Sequence, residues 1–241
     1  MSDNIRLGPT LQRWWRDNSR RHGSLPTIKR LAGSLWEFTR DSTPASRRAR
    51  YGDIDYDWDN RVDTTGATVS WRDRLLGLFH SPYQPTEPLL FHEMLEALSI
   101  DFSQFTFIDI GSGKGRVLLM ASDFPFRRII GVELLPDLHR TANENILSYK
   151  SDSQKCFAIE TVCGDARRFV FPADPVVLYL FNPLPEPGLV QLMANLADSL
   201  AHHCRPVFVL YHNPLLEGVV AGIREFHKVQ GTNQYSIYAN V

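Results

Sequence analysis

Residues 105–116, Phe-Thr-Phe-Ile-Asp-Ile-Gly-Ser-Gly-Lys-Gly-Arg, hold the plan of this 241-residue chain. Phe105 to Ile110 is a short apolar, aromatic and β-branched run with one acid in it, the pattern of a strand buried in a parallel sheet. Gly111, Gly113 and Gly115 then make a turn where side chains would obstruct the approach of backbone to a ligand. From Lys114 the pattern is helical, with Val117, Leu118, Met120 and Ala121 on an apolar face. A strand, a glycine turn and a helix start form a nucleotide-sized pocket at the carboxyl edge of a sheet. A triphosphate loop requires G-x-x-x-x-G-K-[ST], and Lys114 is followed by Gly115. A dinucleotide turn requires G-x-G-x-x-G, and Arg116 stands where the third glycine would fall.

What remains is Asp109-x-Gly111-x-Gly113-x-Gly115, with an acid two residues ahead of the first glycine. Here the chain resembles the class I S-adenosylmethionine (AdoMet)-dependent methyltransferases, whose first motif is an acid-x-Gly-x-Gly-x-Gly loop after the first strand. The resemblance implies cofactor contacts from Asp109, Gly111, Ser112, Gly113 and Gly115. AdoMet has no phosphates to cradle, and its ammonium and sulfonium are cationic, so an acid beside the loop suits it.

Outward from this motif, strands and helices alternate with short connections, which predicts a doubly wound sheet. A helix is expected over about Pro88–Ser99, with Leu90, Met94, Leu95 and Leu98 on one face and Thr86 as its cap. Arg128–Leu134 reads as the second strand, Pro136–Tyr149 as a helix, residues 157–162 as the third strand and Val176–Phe181 as the fourth. A helix near Gly188–His203, a strand over Pro206–Tyr211 and a helix near Leu215–Arg224 follow. Phe226–Val229 and Tyr235–Asn240 flank a hairpin signal. The resemblance turns this series into an α/β, mostly parallel seven-strand Rossmann-like methyltransferase sheet whose last strand is antiparallel. A nicotinamide oxidoreductase, the competing enzyme class, would more often keep that end parallel.

Candidate site residues fall at the strand ends. Glu133 closes the second strand, 24 residues after Asp109, where an acid can accept both hydroxyls of a ribose. Asp165 follows the third strand; the resemblance gives it the adenine amino group, and the competing use is a helix N-cap. After the fourth strand, Phe181-Asn182-Pro183-Leu184-Pro185 resembles the [Asp/Asn/Ser]-Pro-Pro-aromatic motif of amino-group methyltransferases. That likeness makes Asn182 and Pro183 the catalytic candidates and Asn182 a cofactor contact as well, with the Asn182 amide oxygen and a backbone carbonyl accepting from the attacking amine so that its lone pair faces the methyl carbon. Leu184 and Pro185 depart from the motif, which weakens a nucleobase as acceptor. The other use of Asn-Pro is a turn in which Asn182 bonds its own backbone. Tyr83-Gln84-Pro85-Thr86-Glu87, together with Ile-Gly-Val-Glu-Leu at 130–134, is similar to a group of bacterial class I enzymes distantly like the non-SET histone-lysine methyltransferases. That likeness implies that Tyr83, Thr86 and Glu87 cover the methionine end of the cofactor.

The remaining sequence divides by charge. Residues 1–50 hold 11 Lys/Arg against 4 Asp/Glu, and residues 51–241 hold 15 against 23. Two basic helices are expected there, one over Pro9–Arg21 with Trp14 and Trp15, the other carrying Ile28, Leu31, Leu35 and Phe38. They suit docking on the domain with arginines in solvent, or binding nucleic acid, an anionic membrane surface or an acidic partner. The division is then 1–50 a basic helical extension, 51–87 an irregular lid and 88–241 the methyltransferase domain. Asp53, Asp55, Asp57 and Asp59 alternate, but Trp58 and Thr64 replace the glycine and glutamate of a calcium loop. No metal is expected. His202, His203 and Cys204 are adjacent in sequence and so diverge in direction. His212 ends the fifth strand and is a candidate base. Cys156, Cys163 and Cys204 lack C-x-x-C spacing, which argues for buried, reduced thiols. The absence of an apolar leader or a run of about 20 apolar residues argues for a cytoplasmic protein without a membrane span. The expected activity is methyl transfer from AdoMet to an unidentified acceptor, a nitrogen nucleophile of a protein or small molecule. An AdoMet-binding scaffold without turnover and a nucleic-acid-binding module are the non-enzyme alternatives.

Overall fold

The computed structural model describes residues 12, 15–16, 19–20, 23–29, 31–32, 54–65 and 85–241. They belong to two compact units, Met1–Ile54 with Thr65–Pro85, and Asp55–Thr64 with Thr86–Val241. In the first unit residues 24–29 are helical, and the buried Thr27 donates its hydroxyl to the Gly23 carbonyl at 2.7 Å.

The second unit is built on seven strands: β1 (Thr106–Ile110), β2 (Arg128–Glu133), β3 (Ile159–Cys163), β4 (Val176–Leu180), β5 (Val207–His212), β6 (His227–Gly231) and β7 (Tyr235–Ala239). They lie in the order β3-β2-β1-β4-β5-β7-β6. β1 to β5 pair in parallel, and β7 runs antiparallel between β5 and β6. The expected doubly wound sheet with an antiparallel last strand is present. The order reverses between β1 and β4, the crevice where such sheets hold ligands.

Alternation along the strands divides the core. Ile108, Ile110, Leu178 and Leu180 face the long helix Glu186–His202, which supplies Leu189, Leu192, Met193 and Leu196. Phe107, Val177, Tyr179 and Leu210 share the other cluster with Phe91, Met94 and Leu95 of helix Pro88–Glu96 and Leu118 of helix Arg116–Ala121. Asp109 sits in register with Gly131 and Tyr179, so strand parity puts this acid on the aromatic side. Edge-to-face contacts of Phe91 with Phe107 at 5.9 Å and with Tyr179 at 5.5 Å fix that side.

Three expectations need correction. Thr86 does not cap the helix at Pro88: Glu87 holds the N-cap position without a side-chain bond, and the Thr86 hydroxyl turns inward to Tyr179. The 51–87 segment contains a helix, Ile54–Asn60, ended by Arg61 in the left-handed region at φ 57. Its Asp57 accepts from the Thr64 amide at 2.8 Å and from the Thr64 hydroxyl, so this acid closes a local turn. Of the three free cysteines only Cys156 is buried, because Cys163 lies on the edge strand β3 and Cys204 in the connection to β5.

Candidate functional site

The glycine turn has the geometry its composition demands. Gly111 and Gly115 adopt φ +80 and +85, in the left-handed region. A Cβ on Gly111 would lie 2.9 Å from the Pro183 Cβ, and one on Gly115 would lie 3.2 Å from the Ala142 Cβ. Gly111 is thus the contact between the first-strand turn and the Asn182-Pro183 turn of β4.

Two acids lie beneath this turn. Glu133 accepts from the Gly113 amide at 2.8 Å through one oxygen and from the Leu135 amide at 2.8 Å through the other. Asp109 is 3% exposed, and no described residue donates a hydrogen bond to its carboxylate. Burial first, and the neighbouring Glu133 charge second, raise its pKa well above the ordinary carboxylate range. Ser112 Oγ is also buried, with no hydrogen-bond partner among the described residues. A buried polar group without a partner is costly, so this pair defines a place where binding chemistry is unfinished.

Asp165 takes its other expected use. It caps the 3-10 turn Ala166–Arg168 by accepting from the Arg167 amide at 3.0 Å, and both carboxylate oxygens face the Arg167 guanidinium. Those bonds lower its pKa.

On the β4–β5 side the polar groups hold each other. Asn182 and Asn213 both adopt positive φ, 44 and 46, at the ends of neighbouring strands. The Asn182 amide donates to the Asn213 carbonyl at 2.7 Å, and its oxygen accepts from the Tyr211 hydroxyl at 3.0 Å. Tyr211 in turn accepts from the Leu216 amide at 3.3 Å, which leaves its hydrogen for Asn182. Behind them the Tyr179 hydroxyl lies 3.0 Å from Thr86 Oγ1 and 2.8 Å from His212 Nδ1, and the His212 ring stacks on Phe181 at 3.9 Å. Burial lowers the His212 pKa to about 4, so it is a neutral, wall-building group, a poor fit to the base considered from sequence.

Structure therefore brings Asp109, Gly111, Ser112, Gly113, Gly115, Glu133, Asn182 and Pro183 together. Thr86 is linked to them through Tyr179, whose Cα is in register with that of Asp109. Glu87 is exposed at a helix start, and Tyr83 lies outside the described residues. Sequence reasoning missed Tyr179 and Tyr211, tyrosines in otherwise apolar strands, which signal a hydroxyl in need of a buried partner. It also missed the ties from Lys114 and Arg116 to residues 56–64, which two cations at the start of a buried helix should have prompted. Among the described residues no cluster of side chains could hold a metal ion, and no helix is long and apolar enough to cross a membrane.

No protein-family model matches this sequence, and neither does any curated protein sequence. Among solved structures the chain is similar to an RNA methyltransferase from Salinibacter ruber in complex with S-adenosyl-L-homocysteine, at 20% identity and TM-score 0.41, over 64% of this chain and 91% of that one. It is also similar to a predicted N6-adenine-specific DNA methylase from Listeria monocytogenes, at 16% and 0.47, over 64% and 51%. A ribosomal protein L11 methylase from Lactobacillus delbrueckii subsp. bulgaricus follows at 16% and 0.42, over 63% and 75%. Overlaps this low say nothing of ligand or acceptor, which must be argued from the residues of this chain.

Proposed function

We propose that the chain is an AdoMet-dependent methyltransferase acting on a nitrogen nucleophile of a protein or small molecule. One observation carries this reading: a left-handed glycine turn over two buried acids touches, through Gly111 and Pro183, an asparagine held rigidly at the end of the adjacent strand. The donor set fits the cofactor. Asp109 is buried with no donor to its carboxylate among the described residues, Glu133 is fixed by the Gly113 and Leu135 amides, and the turn admits no side chain at Gly111. Asp109, Glu133 and the turn residues Gly111, Ser112, Gly113 and Gly115 would hold AdoMet. Bound AdoMet supplies an electrophilic methyl on a cationic sulfur.

The protein contributes position and electrostatics. Asp109 and Glu133 would offer their carboxyl groups to a cationic ligand in a low-dielectric site, where opposite charge favours the ionised acid. Asn182 spends one lone pair of its amide oxygen on Tyr211 and keeps the second for an acceptor N–H. An amine so held keeps its own lone pair aimed along one line, which is the main source of rate in such a transfer. Thr86, Tyr179 and His212 stiffen the wall behind Phe181 and Asn182. Asp165 contributes to the adenine side only when Arg167 shares it. For the basic residues 1–50, most of which lie outside the described residues, packing is the first proposed use and acceptor capture the second. Tyr83 and Glu87 are proposed contacts to the methionine end of the cofactor.

Isothermal titration with AdoMet and with NAD, followed by transfer of labelled methyl into fractionated protein, RNA and small-molecule pools, tests this function. AdoMet binding with label in the protein or small-molecule pool is the expected result. Heat with NAD alone would move the chain to the oxidoreductases, and AdoMet binding without transfer would leave a scaffold.

A further inference from the structure

Residues 56–64 are attached to the glycine turn by bonds that involve neither strand nor helix ladder. The Lys114 ammonium, on a side chain 3% exposed, meets the Asp63 carboxylate at 2.8 Å, while the Asp63 side chain is 48% exposed. The buried Asn145 fixes Asp63 at both backbone groups: its Oδ1 accepts from the Asp63 amide at 2.7 Å and its Nδ2 donates to the Asp63 carbonyl at 2.8 Å. The same Nδ2 donates to the Lys114 carbonyl at 2.9 Å, so one side chain ties the segment to the turn. Two residues on, the Arg116 guanidinium lies 4.2 Å over the Tyr56 ring. Asp57 closes the segment from within by holding Thr64.

This arrangement addresses a conflict inside the turn. Lys114 places a buried positive charge between Gly113 and Gly115, in the loop that the proposed function assigns to a cationic ligand. A buried ammonium requires negative charge beside it, and each negative charge removed from its surroundings increases its repulsion of the sulfonium. We infer that residues 56–64 form a counter-ion strap: Asp63, positioned by Asn145, neutralises Lys114 so that the glycine turn can receive a positively charged ligand. Asp63 is a positioning residue, since it acts through Lys114. The inference rests on AdoMet being the ligand, and it predicts a charge-specific effect that a merely structural role would not produce.

The test compares AdoMet with S-adenosylhomocysteine, which lacks the sulfonium charge and keeps the rest of the shape. In the full chain, Asp63→Asn should raise the ratio of the AdoMet Kd to the S-adenosylhomocysteine Kd by about three- to tenfold, the effect of removing one negative charge near a cation in a partly polar site. The double variant Asp63→Asn with Lys114→Gln should restore the parent ratio, and thermal unfolding would confirm folded protein throughout. If Asp63→Asn does not fold, Lys114→Gln alone reads the same coupling with opposite sign and should lower the ratio about twofold. An unchanged ratio in either folded single variant, or a shift that persists in the double variant, overturns the strap while leaving the proposed function standing. A parent chain that binds neither compound overturns both.

Discussion

The two halves of the strand-end rim are finished to different degrees. At the ends of β4 and β5, Asn182, Asn213, Tyr211, Tyr179 and His212 are linked by hydrogen bonds that extend to Thr86. At the ends of β1 and β2, Asp109 has no donor and Ser112 Oγ no partner among the described residues, and two carboxyls crowd each other. Folding energy alone would favour completing both halves, since an open buried carboxyl costs stability. Under the proposed function, the contrast separates a wall whose groups are already paired from a site whose missing partners a ligand would supply.

Asp109→Asn breaks the comparison most sharply. The folded pKa of Asp109 lies above its unfolded value, so the native state keeps a proton that the unfolded chain releases, and stability falls as pH rises through that window. Replacing the acid with a neutral amide removes that cost at neutral pH. The thermal midpoint should therefore rise, while AdoMet affinity falls about ten- to hundredfold, the equivalent of about 1.5–3 kcal/mol for a bond to a charged group. Calorimetry and thermal unfolding on the same sample check both signs. A variant both less stable and equally tight would place Asp109 in the scaffold.

Tyr211→Phe probes the finished half and should have a smaller effect. Removing the hydroxyl frees one side of the Asn182 amide and leaves the Leu216 amide without its acceptor. We expect kcat to fall about three- to tenfold with the AdoMet KM unchanged, from a net bond contribution of about 1 kcal/mol. A rise in that KM at constant kcat would move Tyr211 to the cofactor side of the rim. Steady-state kinetics on the acceptor found by labelling separates the two.

The unfinished half was legible in the sequence, and the finished half was legible only in part. Glycines at 111, 113 and 115 after a strand, with acids at 109 and 133, are local signals that need no knowledge of packing. The doubly wound character followed from the alternation of strands and helices, and the antiparallel end from the terminal hairpin together with the methyltransferase resemblance. Asn182 could be found because Asn-Pro follows a strand, but its partners could not, as Tyr211 and Asn213 lie 29 and 31 residues away and meet it only across the sheet. Asp63 and Asn145 stand 82 residues apart, and no period or motif joins them. Thr86 was misread for the same reason: a threonine before Pro88 looks like a cap until Tyr179 offers it a buried hydroxyl. Asp165 shows the reverse limit, since a strand-end acid and an N-cap look alike when Arg167 is two residues away.

His212 gives the finest test of whether the β4–β5 half is complete without a proton. With Thr86 donating to Tyr179 and Tyr179 donating to Nδ1, the neutral ring satisfies all three groups, and protonation at Nδ1 would set two donors against each other. Its folded pKa, about 4, lies below the unfolded value, so as pH falls from about 6.5 toward 4 the unfolded chain gains a proton that the native chain refuses. Stability is then lost across that window, by no more than about 3 kcal/mol for a shift of this size. His212→Gln should flatten this part of the stability profile, measured as thermal midpoints between about pH 7 and pH 5, and leave the pH dependence of methyl transfer near neutrality unchanged. If the acid limb of the rate profile disappeared instead, His212 would be exchanging a proton during turnover, and the wall would be part of the chemistry.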